Sequence, residues 1–175
     1  VNLKKDGKTM QPDVLIKNNF LPDDRFLFIE DAVNSNEFPY YWQGQATDVE
    51  ADGIYLWSHR LFDIDEKGIL SNAYEYIIPS IIKQLPDFKK LLRAKVNLYT
   101  NQNKKLLSPW HVDLLCPHKV ALFSINTNNG YTEFEDGSLY KSEKNAILLF
   151  NGELKHRAAI QTDTDKRINI NIDYE

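Results

Sequence analysis

The sequence predicts an α+β protein. Helical periodicity dominates its N-terminal half, period-two alternation dominates its C-terminal half, and no Pro/Gly/Ser linker, repeat or low-complexity tract divides the two. A single domain over residues 1–175 is expected, because a chain of this length can bury one good core. Hydrophobic residues at 42%, aromatics at 12% and charged residues at 26% fit an ordinary globular protein.

In chain order, Pro22, Asp23 and Asp24 open an apolar-rich stretch reaching Asn34. A fixed φ and negative charge both favour a helix start, so a first helix is predicted there. Between Ser71 and Leu85, Tyr74, Ile77, Ile78, Ile81, Ile82 and Leu85 recur at the three-and-four spacing of one helical face. Ser71 is the candidate cap, and Pro79 predicts a kink or break inside the helix. A short helix from Asp87 to Leu92 is expected to follow.

After residue 93 the period changes to two. Lys95–Tyr99, Lys119–Asn126, Asn145–Phe150 and Arg167–Tyr174 read as strands, separated by turn signals such as "NTNNG" and "EDG". The expected architecture is therefore a mostly antiparallel sheet or barrel, with the helices packed on one outer face.

The formal net charge of −4 excludes the basic face of a general nucleic-acid binder. Lys89 with Lys90 and Lys104 with Lys105 are basic pairs of the kind that usually stay solvated. A single cysteine, Cys116, excludes an internal disulfide, no secretory leader pattern is present, and no apolar run is long enough for a membrane helix. A cytoplasmic protein without a membrane or nucleic-acid partner is the expectation.

The last strand alternates strictly. Arg167, Asn169, Asn171 and Asp173 take one face, and Ile168, Ile170 and Ile172 take the other. Lys95, Asn97 and Tyr99 alternate likewise with Val96 and Leu98. Asn is a poor strand former, so the polar face is either a wet outer surface or a polar interior that binds something.

Four histidines bear on that choice. In "SPWHVDLLCPH", His111 and Asp113 lie two apart, which in an extended strand places both on one face within reach of one ion. His156 follows the apolar "AILLF" strand and "NGEL", at a strand end or rim on the far side of a hairpin from His111. Two histidines and one carboxylate form the set that holds non-haem Fe(II) and leaves three positions open for oxygen chemistry. Arg167, eleven residues beyond His156, adds a bidentate clamp for a carboxylate. Metal ligands alone permit a hydrolase, an isomerase or a storage site, whereas the arginine points to a bound organic acid.

"HVD" at 111–113, His156 in "NGELKHRAA" and Arg167 in "KRININI" resemble the HxD…H…R pattern of the Fe(II)/2-oxoglutarate-dependent dioxygenases. The short prolyl-4-hydroxylase-like members of bacteria and phages are the nearest in pattern. "KVNLYT" resembles the family strand that carries a cosubstrate-binding tyrosine, here Tyr99, and "ALFSIN" followed by "GYTEFEDG" resembles the strand and hairpin between the metal-binding segments.

The resemblance implies a double-stranded β-helix, or jelly-roll barrel, with iron near one open end. It implies His111, Asp113 and His156 as iron ligands, and Arg167 as partner of the distal carboxylate of 2-oxoglutarate. Tyr99 would assist by hydrogen bonding, with Asn169, Asn171 and Ser124 as further candidates. The implied reaction uses O2 and hydroxylates a C–H bond of a small molecule or a peptide, peptidyl proline or an amino-acid-like compound first, with release of succinate and CO2.

Other readings compete. Cys116 and His118 with His111 and Asp113 form a rival, zinc-type set, although Pro117 interrupts it and His156 and Arg167 are then unexplained. His59 sits among aromatic residues as a structural or pocket histidine, and Trp110 and Tyr131 either border the cavity or pack. The nucleic-acid demethylase branch of the family has a second arginine where this chain has Asp173, which disfavours base repair. Halogenase relatives lack the metal carboxylate that Asp113 supplies. A metal-binding barrel without turnover, or a cupin-like isomerase, is the alternative of a different class. Substrate recognition is expected from the loops at 43–52 and 100–107.

Overall fold

The computed structural model describes residues 14–45 and 53–175, together with the backbone of 4–5 and 8–9. Within the loop expected at 43–52, positions 46–52 lie outside the described residues. The elements in chain order are β1 (Lys4–Lys5), β2 (Lys8–Thr9), β3 (Val14–Lys17), α1 (Asp23–Asn34), β4 (Tyr41–Trp42), β5 (Leu56–Asp63) and β6 (Gly68–Ile69). There follow α2 (Tyr74–Ile82), β7 (Leu91–Thr100), β8 (Lys119–Ser124), β9 (Tyr131–Phe134), β10 (Leu139–Lys141), β11 (Ala146–Asn151), β12 (His156–Ala159) and β13 (Lys166–Tyr174).

Helix α1 starts where expected. Pro22, at φ −53°, offers its carbonyl to the amides of Arg25 and Phe26, and Asp23 and Asp24 occupy the first turn. Helix α2 is shorter than the Ser71–Leu85 span. Ser71 Oγ accepts from the Ala73 amide, but regular α geometry ends at Ile82, three residues beyond Pro79. Gln84 and Leu85 then bond back to Ile81 and Ile82 in tighter i to i+3 turns.

The helix expected at Asp87–Leu92 is absent. Asp87 has φ +52°, the amides of Lys89 and Lys90 both donate to the Glu175 carbonyl, and Leu91 already opens β7. Pairing with the end of the chain overrides the local preference.

Two sheets carry the site. The large one runs β3-β11-β8-β13-β7-β5-β4, with β6 on β5, and every pair in it is antiparallel. The small one is β10-β9-β12. Strand β13 lies at the centre of the large sheet and is buried on both faces. Its Ile168, Ile170 and Ile172 join Ala94, Val96, Ala121, Phe123, Ile147 and Leu149 from neighbouring strands in one core. Phe26, Ile29 and Val33 of α1 and Ile77, Ile78 and Ile81 of α2 complete that core, so the helices cover this face of the sheet. Each such isoleucine contributes about 1.5–3 kcal/mol by its burial.

The other face of β13 looks toward the small sheet. Arg167 is 2% exposed, Asn169 2% and Asp173 0%, which rules out a wet outer surface. Polar groups from the large sheet and His156 from the small one line a common cavity, the arrangement of a double-stranded β-helix.

Candidate metal centre

His111 and Asp113 come from the irregular segment between β7 and β8 rather than from a strand. Their convergence with His156 has a different origin from simple i, i+2 projection. His111 and His156 exchange two backbone hydrogen bonds of 3.0 Å as an isolated antiparallel bridge, so they face each other directly and are not held apart across a hairpin. Leu107 bridges Ala159, and Ser108 exchanges bonds with Ala158 through its amide and its hydroxyl. The segment thus docks along β12 as an irregular further strand. The imidazole centroids of His111 and His156 come within 4.5 Å, and one donor atom from each of His111, Asp113 and His156 lies within 4.8 Å of the others. Among the described residues this is the only group of its kind.

Backbone carbonyls fix the ring tautomers. His111 Nδ1 lies 3.0 Å from the Pro109 carbonyl, and His156 Nδ1 lies 3.1 Å from the Leu154 carbonyl. A carbonyl only accepts, so both Nδ1 atoms carry the proton and both Nε2 atoms present lone pairs.

Electrostatics favour an anionic Asp113. Burial alone would raise its pKa, but the His156 hydrogen bond and the charges of His156, Lys95 and Arg93 hold it well below the usual carboxylate range. For His156, burial is outweighed by the bond to Asp113 and its charge, so its pKa is raised. Burial and the neighbouring His156 lower that of His111. His156 Nε2 and Asp113 Oδ2 stand 3.5 Å apart, close enough to share a proton, and a dication held by these residues would displace it.

Arg167 lies on the same cavity wall. Its Nη1 donates to the carbonyls of Ala159, at 2.9 Å, and Tyr131, at 3.4 Å, and its guanidinium stands 5.6 Å from the centre of the Tyr99 ring. Nε has no partner, and no described carboxylate pairs with this buried cation, whose pKa burial lowers. A buried guanidinium without a counter-ion is a site for an incoming anion. Asn169 accepts a 3.2 Å bond from Asn97, and Asn171 reaches Asp113 rather than the arginine. Ser124 is on the same sheet face but lines a second small cavity that shares Leu122, Thr132 and Arg167 with the central one. The central cavity measures about 40 Å³, room for a few waters.

The rival zinc set does not assemble. Cys116 is exposed, and His118 turns its Nδ1 to the Cys116 carbonyl at 2.7 Å and its Nε2 toward Asp173. His59 is structural, held between the Pro39 carbonyl at 2.6 Å and Ser71 Oγ at 2.7 Å and packed on Phe38. Trp110 packs beneath the guanidinium of Arg157, and Tyr131 beneath the Lys105 ammonium; neither lines the cavity.

Two groups escaped the sequence reading. Lys95 lines the cavity beside the ligands, and Arg93 bonds to Asp113. The alternation of β7 puts Lys95 on the polar face with Asn97 and Tyr99. Nothing local marked Arg93.

No family model matches the chain, and no curated protein matches its sequence. Among solved structures it is similar to a prolyl hydroxylase from Trichoplax adhaerens in complex with a hypoxia inducible factor oxygen degradation domain peptide fragment. That match has a TM-score of 0.62 and 17% identity over 93% of this chain and 83% of that one. A Pseudomonas putida prolyl-4-hydroxylase gives 0.59 and 14% over 93% and 92%. A 2OG-Fe(II) oxygenase-family oxidoreductase from Burkholderia pseudomallei gives 0.67 and 8% over 93% and 85%. The fold is that of the 2OG-Fe(II) oxygenases. In this oxygenase fold the three candidate ligands and Arg167 share one cavity between the two sheets. No helix among the described residues is long and apolar enough to cross a membrane.

Proposed function

We propose that this chain is an Fe(II)- and 2-oxoglutarate-dependent dioxygenase that hydroxylates a C–H bond of a peptidyl prolyl or amino-acid-like substrate. The observation that carries the proposal is the pairing of a His111, Asp113 and His156 donor set with a buried, carboxylate-free Arg167 in one cavity. The donors fit the ion. Two imidazole nitrogens and one carboxylate, a donor set that does not include Cys116, suit Fe(II) and leave positions for other ligands.

Arg167 fits the cosubstrate, since a distal carboxylate supplies the counter-ion it lacks, and Tyr99 borders the same space. Asn97 and Asn169, tied to each other, line the stretch between and offer hydrogen bonds to a bound acid. Fe(II) held by His111, Asp113 and His156 would supply the redox chemistry by which O2 and 2-oxoglutarate give succinate, CO2 and a hydroxylated product, one oxygen atom entering succinate and the other the C–H bond. The protein's own part would be to orient cosubstrate and substrate and to limit access of bulk water. The prolyl preference rests on the resemblance in fold to prolyl hydroxylases, two of which span most of this chain.

The test supplies Fe(II), 2-oxoglutarate and O2 with a panel of prolyl peptides and free amino acids, and reads succinate together with a mass increase of one oxygen in the substrate. Succinate is expected from the wild-type protein and not from Asp113→Ala. A protein that binds both Fe(II) and 2-oxoglutarate yet makes succinate with no member of the panel counts for the non-catalytic barrel.

A further inference from the structure

Behind the metal-binding carboxylate stands a charged pair that the proposed chemistry leaves unused. Arg93 on β7 and Asp173 on β13 are cross-strand partners. Arg93 Nε donates to Asp173 Oδ2 at 2.8 Å, while Nη2 donates to Asp113 Oδ1 at 3.2 Å and to the Asp113 carbonyl at 3.3 Å. One guanidinium therefore grips the side chain and the main chain of Asp113 and is itself anchored on a carboxylate with no solvent exposure. Asp113 Oδ2, the oxygen nearer His156, receives no bond from Arg93.

The neutral Asn171 amide donates to both oxygens, at 3.4 Å to Oδ1 and 3.3 Å to Oδ2, so it is the guanidinium on Oδ1 alone that makes the two unequal. A carboxylate free to turn can offer both oxygens to a cation and so occupy two of its positions. One whose Oδ1 is held by a fixed cation offers only Oδ2. We propose that Arg93, braced by Asp173, is a positioning residue that keeps Asp113 a one-oxygen ligand, so that three positions rather than two stay open on the ion. A chelating 2-oxo acid would then fill two of them without blocking the third. This inference rests on the reading of His111, Asp113 and His156 as the metal site. The Arg93 side chain reaches Asp113 from β7, and the position across the ladder on β13 carries the acid that braces it.

The experiment compares Arg93→Ala, Arg93→Lys and Asp173→Asn with the wild-type protein under anaerobic conditions. Its readouts are the affinity for Fe(II), the affinity of the Fe(II)-loaded protein for 2-oxoglutarate, and the visible spectrum of the Co(II)-loaded protein, which reports coordination number. Arg93→Ala is expected to weaken 2-oxoglutarate binding about 10-fold or more with a smaller change in metal affinity, and to shift the Co(II) spectrum. Lysine cannot grip both carboxylates and should restore only part of the loss; Asp173→Asn should move the same readouts in the same direction. If Arg93→Ala proves unstable, Arg93→Met combined with Asp173→Leu removes both charges together and should give the same spectral shift in a folded protein.

A wild-type Co(II) spectrum and wild-type 2-oxoglutarate affinity in a folded Arg93 variant would overturn the positioning role. Asp113→Ala separates the two levels: undiminished metal binding by that variant overturns the metal site itself, whereas lost binding there beside unchanged Arg93 variants overturns only the present inference.

Discussion

A single hydrogen-sized allowance next to Arg167 shows how closely the site is built. A Cβ placed on Gly130 would lie 3.0 Å from Arg167 Cδ, 3.0 Å from the Ala159 carbonyl oxygen and 2.7 Å from Asn128 Oδ1. Two of those neighbours carry bonds of their own, because Asn128 Oδ1 accepts the Gly130 amide and the Ala159 carbonyl accepts from Arg167. The 2.7 Å contact must be relieved by Asn128 Oδ1 or by the Gly130 main chain it accepts from, and the arginine stem at 3.0 Å has to give as well. Gly130→Ala is expected to weaken 2-oxoglutarate several-fold while leaving metal affinity unchanged, checked by titrating each in turn; Arg167→Ala should show the same pattern more strongly. Loss of metal binding by either variant would contradict the separation of the two roles.

The residue scale is also where the sequence was most legible. His111, Asp113, His156 and Arg167 carry chemistry that few alternatives share, and all four come together. Arg93 was illegible for a physical reason: its meaning depends on which residue of β13 lies across from it and on where the 101–118 segment folds, and neither is written in its neighbours. Ser124 shares the sheet face and lines a small cavity with Arg167, a placement that alternation alone does not specify.

At the scale of elements, β13 joins the two halves of the protein. One strand sends isoleucines to the helices and polar groups to the site, and a slip of one residue would exchange them. Ile170→Ala, at a fully buried position, is expected to cost about 2–5 kcal/mol by urea unfolding. The strict alternation made β13 readable, and the apolar run made β11 so. Strand β5 was missed because its register with β7 shifts between Arg60 and Phe62, which breaks its period. Strand β12 is only four residues long and includes two small alanines, so its signal is weak. The false helix at 87–92 has the same lesson in reverse, for Asp87 in a left-handed conformation ends any helix that composition would suggest.

For the whole molecule, the buried charges behind the site make stability depend on pH. Burial, then repulsion by Asp113, pushes Asp173 up to about 6, against the opposing charges of Arg93, Lys95 and His118. A carboxyl raised above its unfolded value of 3.8 holds its proton more tightly in the folded state. Its contribution to stability is therefore complete below about pH 4 and disappears as pH rises through 6. Metal-free wild-type protein should lose unfolding free energy between pH 5 and 7 relative to Asp173→Asn, in which that position does not titrate. Parallel stability curves for the two proteins across this interval would show that Asp173 is ionised throughout.

The main-chain bridge between His111 and His156 has a thermodynamic meaning as well as a geometric one. It already closes the long loop of chain between these residues, so the entropy of bringing the two imidazoles together belongs to folding and not to ion capture. An ion that enters such a preformed seat acts as a removable cross-link: each tenfold excess of free ion over its dissociation constant adds about 1.4 kcal/mol to the stability of the barrel.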